Sequence, residues 1–344
     1  MKKVCVVGHF GFGENMLNGQ TIKTKTVTTE LEKQLGADQV MKIDTHGGAK
    51  GLPKIIVQLI SAFKNCKNII ILPAHNGVKV FVPLCNILNR LFHKKLHYVV
   101  IGGWLNSLLD NVGWLEKYLK KFNGIYVETN TMKAALNSKG FTNIFILPNF
   151  KDVEILKKEE FVYQITEPFK LCTFSRVMKE KGIEEAVNAV VKINKTAQRV
   201  IYTLDIYGQI DSEQTEWFNE LSQTFPEYIN YRGMVDFDKS VSVLKNYYAL
   251  LFPTLFFTEG IPGTIIDAYA AAIPVICSKW ESFSDIVEDG TTGFGYEFNS
   301  NDDFIRLLEE FSDGSLNQLK DQTILKAEEY MPSYAIQTLL KNMR

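Results

Sequence analysis

The sequence predicts an α/β protein made of two doubly wound, Rossmann-like parallel-sheet domains, on three observations. Short β-branched apolar runs alternate with helical stretches almost from end to end, the pattern of βαβ units and a parallel sheet. A chain of 344 residues is too long for one typical domain and suits two of about 150 to 200 each. Several strand ends run into Gly, Pro and polar residues, and such sheets bind ligands at strand C-termini. With 46% apolar and 22% charged residues, both domains can bury sizeable cores.

In chain order, a strand over 3–8 comes first, and the loop GHFGFGENMLNGQTIKT leads into a helix over 21–35. The first apolar run ends in Gly8-His9 after four residues, so it reads as a strand and not as a signal peptide. Glycines at 8, 11 and 13 do not form G-x-G-x-x-G, and the loop is too long before its helix, so no dinucleotide fingerprint is present. A strand over 39–43, a helix over 52–63 and a strand over 68–72 follow, the last running into Pro73-Ala74-His75-Asn76-Gly77. His75 at that strand end is either a ligand contact or a hydrogen-bonded structural residue. A helix over 78–92 and a strand over 96–101 lead to Gly102-Gly103-Trp104. Strands over 123–127 and 143–147 around a helix over 131–139 close this half, and the charged run after Pro148-Asn149-Phe150 marks the linker.

The second half opens with a strand over 169–174, then Ser175-Arg176 and, five residues on, Lys181-Gly182 before a helix to 193. Two cations at a strand-to-helix junction add positive charge to a helix N-terminus, which suits a diphosphate. Strands over 204–208 and 228–233 end in Gly208 and Gly233. Asp236-Phe237-Asp238 precedes a cation and an apolar-periodic stretch, so it reads as an acid-rich helix start and not as a metal-ligand pair. A strand over 249–253, a loop with Glu259, Gly260, Pro262 and Gly263, a helix over 264–272 and a strand over 274–277 make a βαβ unit. Here a helix N-terminus at Gly263 and Thr264 favours an anion, while Glu259 and Asp267 can accept hydroxyl hydrogen bonds. Phosphate on the N–H groups and hydroxyls on the carboxylates describe a sugar diphosphate. A last strand after Gly293 and helices over 302–311, 316–329 and 332–340 complete the chain.

Charge is split. Residues 1–150 carry 19 Lys and Arg against 8 acids, a net +11, and the remainder 19 against 31, a net −12. No nucleic-acid module or aromatic stacking pattern accompanies the basic half, so nucleic acid is not an expected partner. Its helices carry cations at their ends, Lys54, Lys64 and Lys67 around one and Arg90, Lys94 and Lys95 around the next. Such helices either face a core with solvated ends or lie on an anionic membrane surface. Five scattered cysteines, 5, 66, 85, 172 and 277, give neither a disulfide framework nor a zinc spacing and read as buried thiols of a cytoplasmic protein. No apolar run approaches the roughly eighteen residues that a span needs.

The spacing Glu259-Gly260-x-Pro262-x4-Asp267-Ala268 with Pro274-Val275-Ile276 resembles the E-G-x-P-x4-E-A motif of glycosyltransferase family 4, the group 1 glycosyltransferases, retaining enzymes of the GT-B fold. Arg176 and Lys181 resemble that family's S/G-R-x4-K-G diphosphate clamp, and Asn18-Gly19-Gln20-Thr21 resembles its first loop, near the acceptor and the donor phosphates. The resemblance implies an acceptor domain over 1–150, with a helix over 330–344 crossing back, and a nucleotide-sugar domain over 151–329, facing across a cleft. It implies that Glu259 lies against the donor sugar and acts with Arg176 and Lys181 in catalysis. Asp267 would hold the ribose, with Gly260, Gly263, Thr264, Gly208, Gly233 and Gly19 also on the donor. Asn18, Gln20, His75 and Gly103 are the acceptor-side candidates. The second acid is Asp instead of Glu, the usual Gly before Ile-Pro-Val is Ala272-Ile273, and Gly102-Gly103 stands where many members carry a His, a role left to His75 or His9. The activity implied is metal-free transfer, with no cofactor, from a nucleotide sugar, UDP-sugar favoured, to a glycan or lipid-linked acceptor in bacterial surface-polysaccharide synthesis. The site implied is cytoplasmic, peripheral at the inner membrane face. Two alternatives use the same contacts: a non-catalytic sugar-nucleotide-binding subunit of a partner transferase, and a GT-B nucleotide-sugar 2-epimerase.

Overall fold

Each half of the chain folds around one six-stranded, wholly parallel sheet. The computed structural model describes residues 1–13 and 19–344, and these form two units, Met1–Phe150 with Pro332–Arg344, and Lys151–Met331.

Unit 1 runs β1 Lys2–Gly8, α1 Gly19–Leu35, β2 Val40–Asp44, α2 Gly48–Asn65, β3 Cys66–Leu72, α3 His75–Phe92, β4 Lys95–Val99, α4 Leu105–Asn111, α5 Glu116–Leu119, β5 Gly124–Val127, α6 Asn130–Ser138 and β6 Ile144–Ile146. Its strand order is β2-β1-β3-β4-β5-β6. Since β1 to β2 and β2 to β3 step in opposite directions, right-handed crossovers place α1 on one face and α2 and α3 on the other. The cores follow this. Val4 and Val6 of β1 pack with Val27 and Leu31 of α1, whereas Cys5 and Val7 pack with Leu59 and Phe63 of α2 and Val78 and Val82 of α3. Period-2 alternation with both faces covered explains why these strands are continuous β-branched runs.

Unit 2 runs β7 Phe169–Phe174, α7 Ile183–Ala197, β8 Tyr202–Tyr207, α8 Thr215–Ser222, β9 Ile229–Gly233, α9 Ser240–Leu244, β10 Ala249–Phe252, α10 Gly263–Ala270, β11 Val275–Ser278, α11 Phe283–Ile286, β12 Gly293–Tyr296, α12 Asn301–Glu310 and α13 Lys320–Glu328. The order is β12-β11-β10-β7-β8-β9, so the sheet is built outward from the neighbouring pair β7 and β10. The chain then returns to unit 1 with α14 Pro332–Ala335 and α15 Gln337–Met343. There Ile336 and Leu339 are fully buried in the α1 core. Each such side chain stabilises unit 1 by about 1.5–3 kcal/mol.

The strand over 169–174 has the expected bounds, and most elements lie within a few residues of theirs. Four points differ. Helices α4, α5, α8 and α11 fill stretches without an expected element. The helix expected over 316–329 begins at Lys320, after a 3-10 turn over Ser315–Leu319 that follows the left-handed Gly314. The helix expected over 332–340 is two short pieces. The helix expected to run to 272 ends at Ala270, because Ala272 takes a left-handed φ of 57° where glycine is the easier residue. The Lys320 ammonium donates to the Ala272 carbonyl (3.0 Å).

His97 on β4 is fully buried, with Nε2 3.1 Å from Asn68 Oδ1 and Nδ1 3.0 Å from the Tyr126 hydroxyl. An amide oxygen only accepts, so Nε2 carries the proton and Nδ1 accepts from Tyr126. Burial, with Lys95 adding repulsion, drops the His97 pKa to about 4. The unfolded chain takes up a proton near pH 6.5 and the folded one does not, so stability present above that pH is lost as pH falls toward 4, by up to about 3 kcal/mol. Urea unfolding at about pH 7.5 and about pH 5 is therefore expected to show a steeper loss of stability in the wild type than in His97→Gln. Equal pH dependence in both proteins would remove His97 as the cause.

Candidate functional site

In unit 2, β7 and β10 pair in parallel, Leu171 beside Ala249 and Cys172 beside Leu250. Their connections leave in opposite directions, to β8 and to β11, and the space outside the strand ends at such a switch point is where open α/β sheets take ligands. The loops there are fastened to one another. Gly182 caps α7 at φ +70°, and a Cβ on it would lie 1.9 Å from the Pro253 carbonyl oxygen at the end of β10. Gly208, at φ +137°, would place a Cβ 1.7 Å from the Ser175 carbonyl oxygen. The Leu255 N–H donates to the Glu180 carbonyl (2.9 Å). Only glycine allows these approaches.

Across the switch point the Lys181 ammonium donates to Glu259 Oε2 at 2.6 Å, and the Thr254 hydroxyl donates to the same oxygen at 3.3 Å. Thr254 is itself held, its carbonyl accepting from the Ser278 hydroxyl (2.6 Å). Lys181 also lies over the rings of Phe252 and Phe256, 5.5 and 5.0 Å from their centroids. The two charged side chains are 16% and 20% exposed, shielded enough to be oriented yet open to a ligand. Gly260 is buried in the loop that follows, and Gly263 begins α10. The first N–H groups of that helix have no intrahelical acceptor, and the Thr264 hydroxyl is buried without a partner among the described residues. Arg176 stands on the β7 loop, half exposed, its guanidinium 3.3 Å from Asp211. Gly208 and Gly233 meet at the ends of β8 and β9, the Gly208 N–H donating to the Gly233 carbonyl (2.9 Å).

Asp267, the expected ribose contact, lies on α10. It is 2% exposed, and its oxygens accept from Lys151 Nζ at 2.6 and 2.5 Å and from the Ser240 hydroxyl at 3.1 Å. On the buried side of α10 its carboxylate is held by partners within the unit. Burial raises its carboxyl above the ordinary value, and Lys151 and Ser240 pull against that rise. The Phe237 ring covers Lys151 at 4.4 Å. No local signal marks Lys151, which belongs to the charged run read as a linker and lies 116 positions from its partner.

The acceptor-side candidates belong to unit 1. Gly19 opens α1, and Gln20 Nε2 donates to the Leu72 carbonyl at the end of β3 (3.4 Å). His75, three residues beyond Leu72, opens α3 with its ring 5.3 Å from that of Trp104. Gly103 is buried beside Trp104, whose indole N–H donates to the Ile101 carbonyl (2.6 Å). Asn18 lies outside the described residues. At the end of β1, His9 Nδ1 is 2.8 Å from the Thr21 hydroxyl and Nε2 is 3.2 Å from His46 Nδ1. His46 was not foreseen, and only its place just after an expected strand could have singled it out. Partial burial opposes ionisation of Asp44, but backbone N–H bonds from Phe12, His46 and Phe10 outweigh it and hold that carboxyl below its usual value. Among the described residues no three His, Cys, Asp or Glu side chains gather as a metal would require, and no helix is long and apolar enough to cross a membrane.

Removing one member of a buried ion pair leaves an uncompensated charge, at a cost of about 3–5 kcal/mol, whereas apolar replacement of both is close to neutral. Lys151→Met is therefore expected to lose about that much stability in urea unfolding, and Lys151→Met/Asp267→Leu to regain most of it. A double variant as unstable as the single one would mean that the loss has another source.

Comparison with known proteins agrees with this architecture. A family profile described as "Glycosyl transferases group 1" matches residues 168–313. An uncharacterized glycosyltransferase of Methanocaldococcus jannaschii is 27% identical over 224 residues, which cover 62% of this chain and 53% of the relative, so the match spans about half of that protein's length. Among solved structures, Anabaena HepE in complex with UDP and glucose aligns with a TM-score of 0.74 at 12% identity, covering 100% of this chain and 99% of that one. Sucrose-phosphate synthase from Thermosynechococcus elongatus aligns at 0.76 and 13%, covering 99% and 98%. At such identities the structural likeness establishes the fold. Residues 168–313 are thus similar to the group 1 glycosyltransferases, and the two parallel-sheet units have the GT-B fold.

Proposed function

We propose that the chain is a retaining glycosyltransferase that moves a sugar from a nucleotide diphosphate sugar to a hydroxyl of a glycan or lipid-linked acceptor, without a bound metal. The observation that carries this reading is the Lys181–Glu259 pair on the loops leading to α7 and α10, with the Thr264 hydroxyl in the first turn of α10 buried and unpartnered among the described residues. A diphosphate supplies acceptors for those donors, and sugar hydroxyls supply donors for Glu259. In the transfer, the bond between the anomeric carbon and the diphosphate oxygen breaks and its electron pair stays on the diphosphate. Lys181, Arg176 and the N–H groups of Gly263 and Thr264 would hold that growing charge. The acceptor oxygen bonds to the anomeric carbon on the same face, and its proton passes to the departing phosphate.

Uridine is the favoured base, with Gly208 and Gly233 beside it. HepE has been solved with UDP and with UDP-glucose, and the pneumococcal O-GlcNAc transferase GtfA with UDP and GlcNAc. The acceptor side falls to Gly19, Gln20, His75 and Gly103 of unit 1, and the product to assembly of a surface polysaccharide from the cytoplasm. The burial of Asp267 favours one alternative, a donor-binding subunit with no turnover of its own. Tight donor binding with neither hydrolysis nor transfer would support that alternative.

Arg176→Ala and Lys181→Ala are each expected to lower the rate of UDP release in the presence of acceptor by about tenfold or more, with Tm little changed. Rates near the wild type would remove these residues from the diphosphate site. A UDP-sugar is expected to raise Tm, and the rise to survive EDTA. A rise abolished by EDTA would contradict the metal-free reading and point to Asp236 and Asp238.

A further inference from the structure

Helices α2 and α3 pack side by side on the same face of the unit 1 sheet, sharing one core. The buried side of α3 carries Val78, Phe81, Val82 and Cys85, and that of α2 carries Ile55, Leu59, Ala62 and Phe63. Directly opposite, where a solvated helix would be polar, stand more aliphatic side chains. On α3 these are Val80, Ile87 and Leu91, spaced i, i+7 and i+11, and 44%, 57% and 77% exposed. On α2 it is Val57, 68% exposed. Scattered exposed aliphatics need no explanation, but a stripe along the outward ridge of two adjacent helices does.

The charge around the stripe has one sign. Residues 45–109, which contain both helices, hold eight Lys and Arg and no acid at all. Lys54 and Lys64 are exposed on α2, and Arg90 is exposed beside Leu91. A water-facing pair of helices would mix both signs along its surface, as α12 does with Asp303 and Arg306. A protein-binding surface would be anchored by aromatic side chains, and Leu and Val are poor anchors of that kind. An aliphatic stripe on helices whose own charged residues are all cations instead matches a surface that offers acyl chains beneath a layer of negative charge.

We propose that this outward face of α2 and α3 docks unit 1 on an anionic lipid bilayer, the stripe entering the headgroup boundary and the lysines and Arg90 lying among the phosphates. The face belongs to unit 1 and the donor residues to unit 2, and the proposal stands whether or not the transfer reaction is as described above.

The test is co-sedimentation of the full chain with vesicles of phosphatidylcholine alone and of phosphatidylcholine with about one-third phosphatidylglycerol, without donor or acceptor. Binding is expected to the anionic vesicles only, to weaken with added salt, and to fall by about tenfold or more in Ile87→Glu/Leu91→Glu. Both side chains are exposed, so the variant is expected to keep the wild-type Tm and donor binding. No binding to anionic vesicles, or equal binding by the double variant, would overturn the proposal. So would sedimentation velocity showing a dimer that the double variant dissolves, because the stripe would then belong to a second copy of this chain. Donor binding is read separately, so failure here leaves the transferase reading intact, and the reverse holds.

Discussion

Lys181 and Glu259 sit on loops that leave neighbouring parallel strands in opposite directions, and their 2.6 Å contact ties the two together. The contact exists because β7 and β10 lie side by side, and because Gly182 lets the first loop press against the end of the second strand. A partly exposed pair of this kind adds little to stability. Its importance is directional: the ammonium is fixed beside a helix N-terminus and the carboxylate faces it, so one edge of unit 2 has a cationic and an acidic side a few ångströms apart. Everything assigned to the donor, from Arg176 on one loop to Thr264 on the other, is arranged about that polarity.

The sheet cores were legible because both faces of each strand are covered. A run such as Phe169–Phe174 has only one way to be buried, and its bounds could be read directly. Short helices were not: α4 and α8 have seven and eight residues, too few for a periodic pattern to stand out from a polar loop. The residues around the candidate site were legible by type and by their place in loops, but their partners were not. Lys181 could be placed before a helix, but nothing local says that its ammonium turns to a carboxylate 78 positions on. Asp267 shows the same limit more sharply, since a helix-face acid and a buried acid with a distant lysine have the same local sequence, and only the fold brings Lys151 to it.

The charge split maps onto the two units once the chain end is assigned. Unit 1, with Pro332–Arg344, has 21 Lys and Arg against 8 acids, and unit 2 has 17 against 31. An acidic unit would not attract a diphosphate by its overall field, so the proposed donor site would depend on short-range donors: two named cations and a helix N-terminus. Unit 1 is the reverse case, with a net excess of 13 cations (21 against 8).

The route of the chain also bears on how the molecule is made. Unit 2 is an insertion into unit 1, since the core beneath α1 is completed by Ile336 and Leu339, which follow Met331. As the polypeptide leaves the ribosome, 151–331 emerge as a contiguous stretch with all their own sheet strands, while the earlier 1–150 still lack two fully buried side chains. The later-synthesised unit can therefore close its core first, and until residues 332–344 have been made the apolar flank of β1 and α1 must be shielded by something other than its native partner.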